Sequence, residues 1–249
     1  MKRTGFFVTI GVIVAAALLS PLFLLRVARE IPPRTTASAH MDDATLVRSL
    51  LAQNLDFRTF SFASIVRSST GKSVIPLNDS AAHQETIAAI SRALDAAVAE
   101  MNSPKSPARA LRRINEASRF FEDAIMKRIN VTAGIRCEIP AIRSGTHQRA
   151  GYPDLRIVHL ASRTVFYLDP KLVESGSETS TLRSFYFEPK LKTSKINDDA
   201  IHLVAGISHD GEPQQWKFTG WKLVDLSKLQ VRLKAEFQAS NAELYQPDR

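Results

Sequence analysis

Hydrophobic and polar positions follow two different patterns along the chain. In residues 80–130, apolar residues recur every three or four positions, which is typical of amphipathic helices. From Gly134 onward, short runs alternate apolar and polar residues, as strands with one buried face do. This order predicts an α+β fold in which N-terminal helices precede a mixed, mostly antiparallel sheet.

The helical pattern begins behind capping candidates at positions 78–80 and is expected to end near Asn102. Its apolar positions are Ile87, Ile90, Leu94, Val98 and Met101. The sequence NSPKSP interrupts the pattern, and Pro107 is expected to open a second helix with Ser106 as its N-cap. The buried stripe expected for that second helix is Leu111, Ile114, Phe121, Ile125 and Ile129.

The remaining elements are predicted from shorter signals. A short helix is expected over residues 42–55, and residues 56–68, DFRTFSFASIVRS, are expected to be extended. Seven later runs have the composition of strands: IRCEI, DLRIVHL, RTVFYLDPKLV, LRSFYFE, AIHLVAGI, WKFTGWKLVDL and LQVRLKAEF. The last run alternates without exception from Leu229 to Phe237, which predicts a long strand with one buried face.

The N-terminus has a different character. Residues 4–25 carry no charge and are long enough to cross a bilayer, which favours a retained membrane anchor at residues 1–26, with residues 5–25 in the membrane. A cleaved signal peptide is the alternative. Basic residues flank the run on both sides, so the side of the membrane on which the rest of the chain lies stays open. Residues 27–41 are expected to be a flexible tether, and residues 42–249 the folded domain.

Charge and cysteine content restrict the classes of function. The net charge is +8, but residues 1–34 hold five basic residues against one acid, so half of the excess lies there and the rest is only mildly basic. Cys137 is the single cysteine, which excludes an intramolecular disulfide and a zinc site built from cysteines.

One strand-turn-strand segment carries candidate chemistry. Ser162 and Arg163 form a polar turn, so Asp154 and Asp169 are expected to meet across a hairpin. Alternation places Lys171 on the same face as Asp169. Two carboxylates suit Mg²⁺, and an adjacent ammonium can orient water and stabilise charge on a phosphate, so the grouping points to phosphodiester hydrolysis.

A third acid is predicted from the second helix. Glu122 falls at the margin of the apolar stripe, whereas Glu116 and Asp123 point away from it. A carboxylate on a buried face needs either a cationic partner, such as Arg119 or Arg136, or a metal.

Helical Glu122, then a strand, Pro153-Asp154, and Asp169-Pro170-Lys171 occur in an order that resembles the PD-(D/E)xK nuclease superfamily. The resemblance is greatest to blunt-cutting Type II restriction endonucleases, and it covers about residues 107–210. It implies a restriction-endonuclease-like core, Asp154 and Asp169 as Mg²⁺ ligands, Lys171 as the residue that orients water, and Glu122 as an auxiliary acid and metal contact. DNA is the implied partner, and a homodimer is compatible with the family.

Other basic residues are candidates for contact with nucleic acid. A loop holds Arg143, His147 and Arg149, and a second basic loop holds Lys190, Lys192 and Lys195. A solvated lysine loop is the ordinary alternative for the second group. Pro170 lacks a backbone donor, which predicts an edge or bulged strand there. Because the site could be altered, a non-catalytic, membrane-anchored binding or scaffold protein with the same fold is the competing function.

Overall fold

The computed structural model describes residues 42–55, 58–181, 185–234 and 236–245. The chain divides into two compact units, residues 1–47 and 48–249. Helix α1 (Asp43–Ala52) contains most of what is described of the first unit. The predicted anchor and tether lie outside the described residues. Within the described ranges, no helix is both long and apolar enough to cross a membrane.

A five-stranded mixed sheet lies at the centre of the second unit. Its strands are β2 (Ile135–Glu138), β3 (Leu155–His159), β4 (Thr164–Glu174), β5 (Ile201–His209) and β6 (Phe218–Asp225), and they lie side by side in chain order. β4 and β5 pair in parallel, and all other neighbours in this sheet pair antiparallel. The predicted α+β fold with a mixed, mostly antiparallel sheet is confirmed.

Two helices cover one face of this sheet. They are α3 (Ala81–Met101), which Ser80 precedes as N-cap, and α4 (Ser118–Ile129). Alternate residues of β4, Phe166 and Leu168, pack into the same core as the helices. The buried helical residues of this core include Ile90, Leu94, Phe121, Ile125 and Ile129. All five were expected from the 3.6-residue period to lie on the buried stripes. Ile87 and Val98, which were expected there too, are only partly buried.

A smaller core lies around the intervening residues of β4, Val165 and Tyr167. Helix α2 (Phe62–Thr70) contributes Phe62 and Val66 to it. Next to α2, a two-stranded antiparallel sheet joins β1 (Thr59–Ser61) to β7 (Gln230–Arg232). Successive side chains of β4 therefore point to opposite faces of the large sheet, and an apolar core lies on each face. This central strand is thus buried on both faces.

The expectation that residues 56–68 are extended is wrong for most of the segment. Among the described residues of this segment, β1 is the only strand, and α2 begins at Phe62. Ser61 Oγ accepts the backbone N–H of Ser64 at 3.1 Å, which caps the start of the helix. Gly71 ends it with φ 76°. Phe62 and Val66, one helical turn apart, were the signal for a helix.

The second helix does not begin at Pro107. Ser106 caps a short 3₁₀ helix, Pro107–Ala110, as predicted for an N-cap, but another 3₁₀ helix, Ile114–Ala117, follows, and α4 begins only at Ser118. Trp216 explains the interruption, because its indole donates to the Leu111 carbonyl at 2.7 Å. A tertiary contact thus takes an acceptor that a continuous helix would use.

Two predicted strands are absent or short. The described part of LRSFYFE, residues 185–188, forms no strand; the rings of Phe185 and Phe187 instead pack edge-on against Phe62. LQVRLKAEF yields only the three residues of β7, and Phe237 is 84% exposed. The chain ends its described part with helix α5 (Asn241–Tyr245). Alternation alone therefore overestimated both segments, because a strand also needs a partner to pair with.

Pro170 does not lie in a bulge, because the register of β4 with β5 is continuous, and β4 as a whole is the middle strand of the sheet. Pairing with β3, however, ends at Leu168. From Asp169 to Glu174, β4 is paired with β5 alone. A missing backbone N–H at Pro170 is compatible with a strand that has only one neighbour at this point.

Candidate active site

The β3–β4 hairpin brings Asp154 and Asp169 together. Leu155 pairs with Leu168 in the hairpin register, so the residues just beyond this pair are the two aspartates. Their carboxyl groups are near enough for the charge of Asp169 to act on Asp154. Asp154 follows directly after Pro153, whose peptide bond to Tyr152 is cis. The structure thus places the two carboxylates as the alternation and the polar turn indicated.

Lys171 lies beside both aspartates. Its Nζ is 2.6 Å from Asp169 Oδ2 and 3.9 Å from Asp154 Oδ2. The side chain of Asp169 is 2% exposed and that of Asp154 is 16% exposed, whereas the side chain of Lys171 is 33% exposed. The ammonium therefore lies on the solvent side of the two acids, where a water or a phosphate can reach it.

The protonation of this pair is perturbed. Burial, together with the charge of Asp169 and the hydrogen bond to it, raises the pKa of Asp154 from 3.8 to about 8, and Lys171 only partly opposes the change. Two adjacent buried carboxylates cannot both be ionised without a further cation. Without a metal, the pair is expected to hold a proton at neutral pH.

The donor set fits a hard divalent cation. Asp169 Oδ2 is buried, and although Lys171 Nζ lies 2.6 Å from it, no donor meets it with the angles of a hydrogen bond. A buried carboxylate oxygen beside a second carboxylate is the kind of ligand that Mg²⁺ prefers. Among the described residues, no group of three acidic, histidine or cysteine side chains forms a ready-made metal site. The ligand role of Glu122 stays a prediction.

Glu122 is buried on α4, as its position on the stripe predicted, and its partner is Arg149. Arg149 Nη1 is 3.0 Å from Glu122 Oε2, and the same guanidinium binds Asp123 on the outer side. Burial raises the pKa of Glu122, while Arg149 lowers it. Arg119 and Arg136, the partners considered from the sequence, pair instead with Asp123 and Glu138.

The structure places Lys195 differently from the sequence expectation. It was expected on an exposed basic loop, but its side chain is buried, and Nζ donates to the backbone carbonyls of Gln148 at 3.3 Å and Arg149 at 3.1 Å. Asp154, Asp169 and Glu122 are near enough for their charges to act on its ammonium. Lys195 therefore belongs to the acid cluster. Its sequence signal was weak, since only the neighbouring Ile196 marks the position as buried.

The other basic candidates lie outside the acid cluster. Arg143 donates to the Thr70 carbonyl at 3.0 Å, and His147 Nδ1 is 2.6 Å from the Ile139 carbonyl oxygen. Lys190 pairs with Glu188 at 2.8 Å on the surface, and Lys192 is exposed. A role for these four residues in binding nucleic acid stays a prediction.

An aromatic layer lies behind the acids. The Tyr152 hydroxyl is 2.8 Å from His202 Nδ1, and the edge of Phe62 packs against both rings. Burial lowers the pKa of His202 to about 3 and raises that of Tyr152 well above its usual range, so both side chains are neutral. His202 is thus a hydrogen-bonded core histidine, and this layer gives the residues before Asp154 an apolar support.

An α+β fold with a central mixed sheet, and an Asp-Asp-Lys cluster on one hairpin of that sheet, define the class of restriction-endonuclease-like proteins. Comparison with known families agrees, because the model of the Type II restriction enzyme MjaV family matches residues 55–248. The chain belongs to this family. The matched range contains the whole acid cluster.

A relative supports the same assignment. The Type II restriction enzyme MjaV of Methanocaldococcus jannaschii is 27% identical to this chain over 223 residues. The match covers 84% of this chain and 96% of the relative. The similarity therefore spans nearly the full length of a protein named as a restriction enzyme.

Proposed function

We propose that this chain is a DNA endonuclease that hydrolyses phosphodiester bonds with Mg²⁺. The observation that carries the proposal is the contact of Asp154, Asp169 and Lys171 at one end of the β3–β4 pairing. Membership in a Type II restriction enzyme family supports DNA as the substrate. Hydrolysis adds one water across a P–O ester bond, leaving a phosphate end and a hydroxyl end.

Asp154 and Asp169 would hold the metal, since their carboxylates are adjacent and mostly buried. When bound, Mg²⁺ supplies positive charge that polarises the phosphate and makes water a better nucleophile. Lys171 extends from the acids toward solvent, where it orients the water and stabilises the charge that develops on phosphorus. Glu122 acts as an auxiliary acid from α4, held by Arg149.

Binding of the DNA backbone is the role proposed for Arg143, His147, Lys190 and Lys192. Each lies on the exposed surface of the protein, and a lysine or arginine that contacts a phosphate adds affinity by releasing counterions. Arg149 and Lys195 are not proposed as backbone contacts, because Arg149 is engaged by two acids and Lys195 is buried.

A plasmid assay tests the catalytic proposal. The full chain is incubated with supercoiled plasmid and Mg²⁺, beside Asp169→Asn and a matched control, Glu116→Gln, which removes an exposed acid of the second 3₁₀ helix. We expect nicking or cutting by the parent and the control, and a loss of at least about 1,000-fold in Asp169→Asn, because the metal loses a charged ligand.

Two results would contradict the proposal. The first is no cleavage by a folded parent protein in Mg²⁺ or Mn²⁺, and the second is equal cleavage by the parent and Asp169→Asn. DNA binding without cleavage in either case would favour the competing function, a non-catalytic binding or scaffold protein with the same fold.

We also propose that residues 5–25 tether the enzyme to a membrane. The support is the uncharged run from residue 4 to residue 25, which at about 1.5 Å per residue is long enough to span the apolar part of a bilayer. Residues 27–41 would then be the flexible link, and residues 42–249 the nuclease domain.

A further inference from the structure

Lys195 is the only lysine or arginine in the described part of the chain that is buried; it is 1% exposed. It lies between two buried residues, Ser194 and Ile196, in the connection from β4 to β5. A lysine is almost never fully buried without a charged partner, because an ammonium loses its hydration there. The burial of an ammonium group at this position therefore needs a physical explanation.

The ammonium of Lys195 has two kinds of neighbour. Two backbone carbonyls, those of Gln148 and Arg149, accept hydrogen bonds from it. Asp154, Asp169 and Glu122 stabilise its positive charge electrostatically, and they oppose the lowering of its pKa that burial causes. The side chain therefore lies where the three acids of the site act together.

The segment that Lys195 holds also connects the acids to each other. Arg149 extends from this segment to Glu122 on α4 with an N–O distance of 3.0 Å. A few residues later the same segment reaches Pro153 and Asp154, immediately before β3 begins at Leu155. Fixing the carbonyls of residues 148 and 149 thus fixes both the partner of Glu122 and the approach to Asp154.

Basic residues offset the negative charge of the acids in this cluster. The acids are Glu122, Asp154 and Asp169, and the basic residues near them are Arg149, Lys171 and Lys195. Removal of Lys195 would make the cluster more negative by one charge, in a site with little water, where charge interactions are stronger than in solvent.

We propose that Lys195 is a positioning residue of the active site, whose positive charge balances the three acids before metal and DNA bind and whose hydrogen bonds hold residues 148 and 149. This assignment rests on the proposed function. It adds a basic residue, distant in sequence from the Asp-Asp-Lys hairpin, to the residues on which metal binding and cleavage depend.

The test uses the full chain with Lys195→Gln and Lys195→Met. Glutamine can still donate to a backbone carbonyl but carries no charge, whereas methionine keeps the length and neither donates nor carries charge. Lys105→Gln is the matched control, because it removes an exposed lysine from the loop after α3, to which no role in the site is assigned. Three quantities are measured: Mn²⁺ affinity by calorimetry without DNA, plasmid cleavage at saturating Mg²⁺, and the thermal unfolding midpoint.

We expect both Lys195 variants to bind Mn²⁺ at least about threefold more tightly, since the empty site gains a net negative charge. Cleavage should nevertheless fall at least about tenfold, since the acids lose the cation that positions them. The unfolding midpoint should fall in both variants, because removal of one charged partner leaves the buried acids uncompensated, but both variants should stay folded at the temperature of the assay. Lys105→Gln should change none of the three quantities.

Several outcomes would overturn the proposal. Unchanged or weaker Mn²⁺ binding in a folded Lys195 variant would show that its charge does not act on the metal site. Full cleavage by Lys195→Gln would show that hydrogen bonds suffice, and unfolding of both variants would show a purely structural role. If Mn²⁺ affinity shifts as expected but the parent does not cleave DNA, the endonuclease proposal fails while the charge assignment stands.

Discussion

At the scale of single residues, the contact between Asp154 and Asp169 has a consequence for stability. The pKa of Asp154 in the folded protein, about 8, lies above its ordinary value of 3.8. Between these pH values the folded state binds a proton that the unfolded state releases. The free energy of unfolding contributed by this group is therefore present at low pH and lost as pH rises through this window.

We predict that, in EDTA, raising the pH from about 5 to about 8 lowers the free energy of unfolding of the parent by on the order of 2 kcal/mol more than it does for Asp154→Asn. Denaturant unfolding at the two pH values measures the difference. Comparison with the variant cancels the contributions of other groups, including His83 and His209, whose lowered pKa values act in the opposite direction. Parallel pH dependence in parent and variant would contradict the prediction.

The residues of the cluster differ in how far the sequence predicted them. Asp154, Asp169 and Lys171 lie on one hairpin, so a two-residue period and a turn were enough to bring them together. Glu122 followed from the period of a helix. Lys195 lies in an irregular connection, where no period relates a residue to a face, and only the fold shows that it is buried.

At the scale of elements, helix α2 shows how a short segment can be assigned to the wrong class. Its aromatic and β-branched residues favour a strand, but Ser61 and Gly71 provide the caps of a helix. Phe62 then lies at the centre of an aromatic cluster, with Tyr152, Phe185, Phe187 and His202. Tertiary packing decides the outcome, since nine residues are too few for a helix that is stable by itself.

We predict that Phe62→Ala lowers the free energy of unfolding by about 3–5 kcal/mol, because it leaves a cavity where a fully buried ring was. Phe237→Ala is the matched control; its ring is 84% exposed, and its effect should stay within about 0.5 kcal/mol. Chemical denaturation measures both. An equal effect of the two substitutions would show that the packing of α2 on the sheet contributes little to stability.

At the scale of the whole molecule, the uncharged N-terminal run predicts where the enzyme is found. We expect the full chain, expressed in bacteria, to stay with the membrane pellet after a carbonate wash. The double variant Val14→Lys and Leu18→Lys should move to the supernatant, because two ammonium groups in the apolar part of a bilayer are unfavourable. Arg34→Gln, outside the run, is the control. Recovery of the parent in the supernatant, with its N-terminus intact, would contradict the tether.

The sequence by itself determined the class of fold and the chemistry of the hairpin, because both depend on local periods. Helical spacing predicted α3, and alternation with a polar turn predicted β3, β4 and their Asp-Asp-Lys cluster. These signals act over a few residues, so they do not require knowledge of distant partners.

Only the tertiary structure decided which distant residues complete the site. The Trp216 indole bonds the Leu111 carbonyl and so interrupts the second helix. β7 stays short because its partner β1 has only three residues, and Arg149 forms an ion pair with Glu122. The tertiary structure also buried Lys195 next to acids that lie more than twenty residues away along the chain. The physical reason is that burial and charge compensation depend on what packs around a side chain, and no local pattern records this.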